Sequence, residues 1–475
     1  MNAMRFLLNI IMLWSILFIA TACDKYLEVS PKSSLSEEEI FSSATGFHQV
    51  LSGVYSQMAS QNIYGDRLSM GFVSALANSY TISSSSSPFV ETQKLNFASA
   101  EVQAHCAAVW KASYTAIATL NNLLVNLDRK KQLLTDQDYT LIKGEALGLR
   151  AYLHFDLLRL FGKAYESGKA EKAIPYEISM DEYANVPVTG EKVVELALND
   201  ISDAAALLEG TDPVRSGTLN RRIKMNYYGV KALEARIRLY SGDREGAFTA
   251  AKQVIDSEKF LFVTAADVGS EGDFKDRVFL TEQVFALRIR GMESWVNTYF
   301  KTGGDPSFRL SRSMNDFGTL YETALGGTTD YRYLYLTESV GSGMSVSSKF
   351  WQSSLTILDS ARTDQLMPLL RLSEMYYILA ETAPDPEEGL SYLNTVRVNR
   401  GVGMLNLPTV TAEYVRKALT AEYQKEFYAE GQLFFYYKRI QATTMQFMTA
   451  SDPAIVPEQY VLPIPMDEQE FNPNY

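Results

Sequence analysis

The stretch GEALGLRAYLHFDLLRLFG, residues 144–162, lies inside a long apolar pattern that begins at Tyr139. Its apolar residues recur at helical spacing, and the pattern stops at Gly162, where a C-cap glycine would end a helix. Patterns of the same kind begin at Ala107 and at Glu191, and the latter stops at Gly210. The sequence therefore predicts that long helices dominate this part of the chain.

A pair of shorter helices is predicted over residues 226–257, joined by the turn SGD. Ala247, Ala250 and Ala251 line one face of the second helix, and small residues there let two antiparallel helices approach closely. This arrangement is typical of tetratricopeptide repeats, which are about 34 residues long and bury their faces by stacking on neighbours. We therefore expect an all-α fold built from stacked, tetratricopeptide-like helix pairs.

Two segments interrupt the helical patterns. Residues 61–103 contain Gly, Asn and a serine run before Pro88, which is loop chemistry. A long loop inside a helical domain is often functional, and a merely mobile insertion explains the serine run equally well. Residues 261–362 mix Trp, Tyr, Gly, Ser and Asn without long periodicity, which predicts loops and short strands.

Helical patterns return over residues 363–475 and end in a proline-containing tail. Asp385 and Pro386 have the residue types of an N-cap and a first helical position. The pattern from Thr411 fits one long helix or two helices broken near Gly431. The prolines of the last segment exclude a helix through Pro465.

The amino-terminal residues predict export. Arg5 precedes a largely apolar run over residues 6–22, which is too short for a membrane span and typical of a signal peptide, residues 1–22. Small residues lead directly to Cys23, as in a bacterial lipobox, so we expect Cys23 to be acylated. The alternative is an ordinary signal peptide followed by an incidental cysteine. Residues 23–35 then form a tether, and Ser36 with Glu39 makes a capping box that opens a single domain, residues 36–475.

Composition excludes several classes of function. The chain has 475 residues, a formal net charge of -12 and a pI near 5.0, so it lacks the basic surface that nucleic acid requires. His48, His105 and His154 are scattered without zinc-ligand spacing, and Cys106 is expected to be a buried, small apolar residue. No nucleophile, phosphate-loop or nucleotide motif occurs, and no spacing marks the carboxylate pair of a glycosidase. We therefore expect no enzymatic activity and assign no cofactor, while the sequence leaves open whether a metal ion binds.

Several motifs resemble those of one known family. The leader CDKYLEVSPKSSLSEEEIF, the helix GEALGLRAYLHFDLLRLFG and the ending LPIPMDEQEFNPNY are similar, in order, to elements of the SusD/RagB family of Bacteroidetes outer-membrane nutrient-binding lipoproteins. The stretches LLRLSEMYYILAET, LNTVRVNRG and EFYAEGQLFFYYKR also resemble family elements, although Leu433 and Phe434 replace the usual Arg and Trp. Six such elements in the right order span nearly the whole chain.

The resemblance implies an all-α, SusD-like fold in which residues 36–260 are mainly tetratricopeptide-like helices. It implies that the loop-rich residues 261–362 face the ligand and that residues 363–475 add further helices and the tail. It also implies a partner, a SusC-like TonB-dependent outer-membrane transporter that the lipoprotein covers as a hinged lid. The protein would be lipid-anchored to the outer membrane and exposed at the cell surface. The matching Arg150 and Glu430 would be helix salt bridges, and the elements at Asp330–Arg332 and Lys349 would be scaffold.

Site residues follow from sugar chemistry, since no ligand motif of the family matches. A sugar presents flat apolar faces and hydroxyl edges, so its site needs aromatic platforms with polar side chains at the rim. We therefore predict that ligand binds among seven residues of loop-like segments, namely Asn78, Tyr80, Trp295, Asn297, Tyr299, Tyr331 and Trp351. The alternative for each is core or interface packing.

Three functions remain open from the sequence. The first is a surface lipoprotein that binds oligosaccharides and delivers them to the transporter. The second is a receptor for peptides or another nutrient on the same scaffold. The third is a structural transporter subunit without a ligand of its own.

Overall fold

The structure is a computed structural model that describes residues 36–82, 84–179, 186–216, 219–303, 305–352 and 365–474. The predicted signal peptide, Cys23 and the tether lie outside the described residues. Helices of the amino-terminal half, in chain order, are α1 (Glu37–Ile40), α2 (Ala44–Met58), α3 (Phe72–Leu76), α4 (Val90–Gln93), α5 (Ala100–Arg129), α6 (Asp136–Phe161), α7 (Tyr165–Gly168), α8 (Gly190–Glu209), α9 (Tyr227–Tyr240) and α10 (Arg244–Ile255).

The second half contains shorter helices and most of the strands. Its helices are α11 (Ala265–Gly269), α12 (Glu293–Phe300), α13 (Met314–Leu320), α14 (Tyr331–Leu334), α15 (Leu372–Thr382), α16 (Pro386–Val398), α17 (Ala412–Glu426), α18 (Gln432–Arg439) and α19 (Met466–Phe471). The strands are β1 (Lys172–Ile174), β2 (Val188–Thr189), β3 (Gln283–Arg288), β4 (Arg312–Ser313), β5 (Thr337–Gly341), β6 (Met344–Ser347) and β7 (Leu366–Arg371). The mostly helical fold confirms the predicted all-α class, and 261–362 holds the predicted short strands.

The quoted stretch forms the buried centre of the helical half. Helix α6 is buried on every side from Gly144 to Phe161 because it packs against α5 and α8. A Cβ at Gly144 would lie 2.6 Å from the Leu208 side chain, and one at Gly148 would lie 2.7 Å from Met225. These glycines therefore permit the close packing on which the helical layer depends.

Capping side chains set most helix boundaries as the sequence predicts. Ser36 and Glu39 form the predicted capping box of α1. Asp385 and Pro386 start α16 as its N-cap and first residue. Helix α5, however, begins at Ala100 and not at Ala107, because the Ser99 hydroxyl accepts a hydrogen bond from the backbone of Val102.

Helices α9 and α10 form the predicted antiparallel pair. Asn226 and Asp243 cap their amino ends, and the alanines at 247, 250 and 251 are buried between the helices. Helix α15 packs against α10, and α16 packs against α15 in turn. The tetratricopeptide-like stacking is therefore continued by helices from the carboxyl-terminal region.

The strands form small antiparallel sheets. β3 pairs with β7, and β6 lies between β4 and β5. β1 pairs with β2 beside the helical layer. A bridge between Thr81 and Ser311 joins the 61–103 segment to the second half.

Of the two alternatives for the pattern from Thr411, the structure has two helices broken near Gly431. Gly431 has a φ of 76°, and α18 begins at the next residue after α17 has ended at Glu426. A Cβ at Gly431 would lie 2.3 Å from the backbone oxygen of Leu68. The turn between the helices thus packs directly on the 61–103 segment.

A buried ion network joins the loop-rich half to α17. It contains equal numbers of cations and carboxylates, all linked by ion pairs: Arg332, Lys349, Arg371, Arg397, Arg400 and Lys425 with Glu282, Glu322, Asp330, Glu422, Glu426 and Glu430. Burial alone would raise the pKa of Glu426, but the charges of Arg400 and Arg371 hold this pKa well below its usual value. We call this set the ion network.

The structure shows the ion-pair partners of Arg150 and Glu430, the two residues expected to form helix salt bridges. Arg150 pairs in a bidentate manner with Asp200 on α8, with N···O distances of 2.8 and 2.6 Å, so it is the expected helix salt bridge. Glu430 is a scaffold residue too, but it lies in the turn before α18 and pairs with Lys349 and Arg371. Its interpretation as a residue within a helix was wrong because the helix stops at Glu426.

His105, His154 and Cys106 have packing roles, whereas His48 is exposed and contacts Asp138. His154 stacks on Tyr176 at 3.8 Å, and His105 stacks on Phe72 and Phe89. Cys106 is buried, and burial raises the pKa of its thiol to about 12. Across the described ranges, no three His, Cys, Asp or Glu side chains are grouped to hold a metal ion. None of the helices in those ranges is both long and apolar enough to cross a bilayer.

Candidate functional site

Helix α12 carries three of the seven predicted site residues. Trp295, Asn297 and Tyr299 lie on this helix, and Tyr331 is the first residue of α14. The prediction that all seven lie in loops was therefore wrong. Helix α12 has only eight residues, too few for helical periodicity to be recognised within a mixed polar and aromatic segment.

Two side chains of α12 attach it to the 61–103 segment. The indole Nε1 of Trp295 donates a 3.0 Å hydrogen bond to the backbone oxygen of Gly65. The Tyr299 hydroxyl donates to Oδ2 of Asp66 at 3.1 Å. Trp295 stays half-buried, whereas Tyr299 is buried. The indole is thus held in one orientation with part of its surface open to solvent.

Asp66 is a buried carboxyl group directly beneath α12. Burial raises its pKa from 3.8 to about 6, although the hydrogen bond from Tyr299 and the charge of Arg67 act in the opposite direction. Its Oδ1 is buried and accepts no hydrogen bond from the described residues. The amide Oδ1 of Asn297 is likewise buried and accepts no hydrogen bond from the described residues. Two polar atoms of this region are therefore left without partners among the described residues, which is rare in a protein interior.

Trp351 lies at the carboxyl end of α12. Its Nε1 donates a 3.0 Å hydrogen bond to the backbone oxygen of Phe300, and its ring is half-buried. The guanidinium carbon of Arg277 and the Nζ of Lys301 each lie 5.5 Å from the ring centroid. The structure thus brings Trp351 and Trp295 to opposite parts of one short helix, and two cations accompany Trp351.

Asn78 and Tyr80 pack beneath this surface. Tyr80 is fully buried, its ring contacts that of Phe300 at a tilt of 56°, and its hydroxyl donates to the backbone oxygen of Met70. Its ring therefore presents no face to solvent, in line with the packing alternative. Asn78 has a φ of 56°, and its amide oxygen accepts hydrogen bonds from Arg312 and from a nearby glutamine. Asn78 thus adopts a left-handed backbone conformation, and its side-chain amide already forms hydrogen bonds within the protein.

Tyr331 belongs to a different cluster. It packs with Tyr335 against a small apolar group that includes Val268 and Leu336. Its backbone N–H donates to the oxygen of Arg400, which is part of the ion network. Trp295, Asn297 and Tyr299 therefore lie on α12, Tyr80 and Trp351 contact its last residue, Phe300, and Tyr331 lies in a different cluster.

Sequence reasoning missed Asp66, Arg277 and Lys301. Asp66 lies in a segment identified only as a functional or mobile loop, and the two cations have no spacing that ties them to Trp351. The sequence offered only one indication of a site in this region, the aromatic content of residues 261–362. Lys301 follows Trp295 closely in sequence, but in the structure it lies over Trp351. Its position in the sequence therefore does not predict this contact.

A separate cavity of about 280 Å³ lies on the α9–α10 helix pair. Most of its charged lining residues are paired with one another, because Glu234 binds Lys231 and Arg238, and Arg238 also binds Asp243. None of the predicted site residues lines this cavity. We therefore place the candidate site at α12 and Trp351.

Comparisons with known proteins agree with the architecture. A family model described as "Starch-binding associating with outer membrane" matches residues 25–221, and a model of the SusD family matches residues 338–459. The SusD-like proteins P25 and P38 of Formosa agariphila are 22% identical over 296 residues and 24% identical over 248 residues. These alignments cover 60% and 52% of this chain, and 53% and 44% of the relatives. The chain thus spans about half the length of the curated relatives it matches.

Solved structures show the same fold over most of the chain. A SusD superfamily protein from Bacteroides thetaiotaomicron has a TM-score of 0.73 at 22% identity, covering 91% of this chain and 98% of its own. A SusD-like carbohydrate-binding protein from Bacteroides vulgatus has a TM-score of 0.71 at 18% identity, with 91% and 97% coverage. A laminarin-binding SusD-like protein has a TM-score of 0.65 at 17% identity, with 91% and 99% coverage.

Proposed function

Because this chain belongs to the SusD family of carbohydrate-binding proteins, we propose that it is a non-catalytic surface lipoprotein that binds oligosaccharides. It delivers them to a SusC-like TonB-dependent transporter in the outer membrane. The family models, the fold of a laminarin-binding relative and the predicted lipobox at Cys23 support this proposal.

The observation that carries the proposal is a pair of half-buried indoles, Trp295 on α12 and Trp351 at its carboxyl end. Each indole N–H is fixed to a backbone oxygen, so the rings of Trp295 and Trp351 keep their orientation before ligand arrives. Ordered aromatic rings lower the entropic cost of binding a flexible sugar chain.

Calorimetry on the purified full chain tests ligand class. We expect at least one oligosaccharide from a panel of neutral and acidic glycans to bind, and peptides of similar length not to bind. Trp295→Ala should weaken that binding about tenfold, because stacking on an aromatic ring is lost. Trp295→Phe keeps a ring and should retain most of the affinity. Phe471→Ala, at an exposed aromatic residue of α19, is the matched control and should have no effect.

Peptide binding without glycan binding, or normal affinity in Trp295→Ala, would reject the site or the ligand class. The anchor is tested separately by Cys23→Ser. This variant should move from the membrane pellet to the soluble fraction and should no longer incorporate a labelled fatty acid. Copurification of the intact lipoprotein with a barrel transporter tests the delivery step, and its absence under mild detergent would contradict that step.

A further inference from the structure

Two consecutive residues hold one face of α12. Gly65 accepts the indole N–H of Trp295 through its backbone oxygen, and Asp66 accepts the hydroxyl of Tyr299 through its carboxyl Oδ2. Trp295 and Tyr299 are four residues apart, so they lie on the same face of the helix. The orientation of the Trp295 indole therefore depends on the same short piece of chain that holds Tyr299.

The surrounding backbone fixes the carboxyl group of Asp66. This residue lies within a run of turns, residues 61–70, which we call the anchor turn. Its backbone oxygen accepts from the N–H groups of Ser69 and Gly71 at 3.0 and 2.9 Å. A Cβ at Gly71 would lie 2.1 Å from Oδ1 of Asp66, so the carboxyl group fits only because residue 71 is a glycine. The anchor turn thus holds this carboxyl group in one position beneath α12.

The ionisation of Asp66 is opposed by burial and favoured by its neighbours. Burial raises its pKa from 3.8 to about 6, while hydrogen bonds from Tyr299 and Gln61 and the charge of Arg67 act in the opposite direction. Oδ2 receives both hydrogen bonds, at 3.1 and 3.4 Å, whereas Oδ1 accepts none from the described residues. A proton can therefore bind at Oδ1 without displacing the donors at Oδ2.

The other titratable side chains described around Asp66 keep one protonation state. Burial raises the pKa values of Tyr80 and Tyr299 well above their usual range, and the charge of Asp66 raises both further. His105 on α5 accepts the Nε–H of Arg67 at its Nδ1, 3.0 Å away, and donates from Nε2 to a backbone oxygen at 2.9 Å. A proton added at Nδ1 would face that N–H, and burial also lowers the pKa of His105. Asp66 is therefore the group of this cluster that titrates near pH 6.

Protonation of Asp66 changes the strength of the Tyr299 contact. A hydroxyl that donates to a carboxylate makes a charge-assisted hydrogen bond, which is about twice as strong as one between neutral groups. The Tyr299 hydroxyl keeps its proton, so it donates to a carboxylate when Asp66 is ionised and to a neutral carboxyl group when it is not. Tyr299 is buried and Trp295 is half-buried, so the helix face that Tyr299 holds also carries an indole at the edge of solvent.

We infer that Asp66 is a positioning residue of the glycan site: its ionised carboxylate holds Tyr299, and through α12 it keeps the Trp295 indole in the orientation that stacks on a sugar. The inference rests on the proposed function and adds a regulation of the same site by pH. Asp66 acts through α12 and does not touch the ligand. Because a ring that is already ordered lowers the cost of binding, affinity is greatest when Asp66 is ionised and falls on acidification.

Fluorine NMR of the ligand-free full chain tests the positioning role. Incorporated 5-fluorotryptophan gives a resonance for each indole, and the resonance lost in Trp295→Phe is that of Trp295. We expect its chemical shift to change between about pH 5 and 7.5 with a midpoint near 6, because Asp66 loses its proton over that range. The shift should stay constant in Asp66→Asn. In Tyr299→Phe the midpoint should move to higher pH, since a hydrogen bond that lowers the pKa of Asp66 is lost.

Calorimetry over the same pH range measures the effect on binding. The first probe is laminarin hexasaccharide, followed by the glycan that binds most tightly in the panel described above. We expect the affinity of the wild type to fall about threefold from about pH 7.5 to 5. Asp66→Asn should show the weaker affinity at both pH values, because its amide oxygen still accepts from Tyr299 but carries no charge.

The matched control is Asp276→Asn. Asp276 is a second buried carboxyl group whose pKa burial raises to about 6, and it contacts neither α12 nor the anchor turn through its described hydrogen bonds. This variant should keep the pH dependence of the wild type. Thermal unfolding of each variant checks that the fold is intact.

The outcomes separate the two proposals. A Trp295 resonance that does not respond to pH overturns the inference, and so does a glycan affinity that is equal at both pH values; each result leaves the proposed function standing. A pH dependence that persists in Asp66→Asn, or disappears in Asp276→Asn, assigns the effect to another group and also overturns the inference. Absence of binding to every glycan rejects the proposed function and, with it, the inference.

Discussion

The ion network and the surface at α12 use charge in opposite ways. In the ion network every cation faces a carboxylate, and the participating side chains are almost all buried. At α12, Arg277 and Lys301 lie against the ring of Trp351, and two buried oxygens, of Asp66 and Asn297, accept no hydrogen bond from the described residues. Complete pairing marks the part of the molecule that holds its shape. Incomplete pairing marks the part where we propose that ligand binds.

The strongest way to break this comparison is to open the ion network. Glu426→Gln removes a carboxylate that pairs with Arg332, Arg371 and Arg400, and it leaves buried cations uncompensated. We expect the free energy of unfolding to fall by about 3–5 kcal/mol. Urea denaturation followed by circular dichroism measures the change.

The control is Glu413→Gln, an exposed carboxylate on the same helix that pairs with a lysine. It should change stability by less than about 0.5 kcal/mol. A similar small loss for Glu426→Gln would mean that the network does not hold the two halves together.

The response to pH sharpens the contrast between the regions. The folded pKa of Asp66 is raised to about 6, so ionisation of this buried group costs stability as pH rises from about 4 through 6. We expect the wild type to lose about 2–3 kcal/mol relative to Asp66→Asn across that range. Denaturant unfolding at a series of pH values measures the difference.

Glu422 should show the opposite sign. Burial would raise its pKa, but Arg332 and Lys425 lower it to about 2, so its stabilising effect is lost as pH falls from about 4.5 through 2. Relative to Glu422→Gln, the wild type should lose stability on acidification. Parallel pH profiles for the Asp66 and Glu422 variants would contradict the assigned environments.

Gly431 follows Glu430 of the ion network and packs on the 61–103 segment, to which α12 is attached. A change at Gly431 therefore tests the contact between the ion network and the region of α12. Gly431→Ala places a Cβ against the backbone oxygen of Leu68 and forces a left-handed φ on alanine. We expect a loss of about 2 kcal/mol. Gly53→Ala is the control, because Gly53 is an exposed helical glycine with open space around it. That change should raise stability by about 0.5–1 kcal/mol.

The smallest expected effect is at Lys301. Lys301→Gln should change the free energy of unfolding by less than about 0.5 kcal/mol, because no described carboxylate depends on this cation. Lys349→Gln, in the ion network, should cost several times more, since Lys349 is buried and pairs with Glu430. Thermal denaturation of both variants makes the comparison, and equal losses would contradict it.

The helical half could be predicted from local patterns. Helix α6, the α9–α10 pair and the break at Gly431 each depend on residues close together in sequence, such as apolar spacing, small residues and a turn glycine. The resemblance to SusD-like proteins identified the fold from motifs, several of which belong to the ion network. Local sequence patterns therefore predicted the structure correctly where residues that are close in sequence also contact one another.

The site could be predicted only in part. Trp295 and Trp351 were identified by residue type, and the structure places one on α12 and the other at its carboxyl end. The burial of Tyr80, however, depends on Phe300, which is distant in sequence. The same limit applies to the ion network, where Glu282 pairs with Arg400. Pairings over such distances are set by the three-dimensional arrangement of helices, which periodicity does not encode.

The position of the ion network along the chain has a consequence for biosynthesis. Arg332 and Arg371 leave the ribosome before Glu422, Glu426 and Glu430, which supply most of their partners. Until α17 has been made, the loop-rich half contains cations that cannot be buried without a large desolvation cost. Assembly of the loop-rich half therefore waits until Glu422, Glu426 and Glu430 have been made, whereas α6 packs on α5 and α8, which are made much earlier.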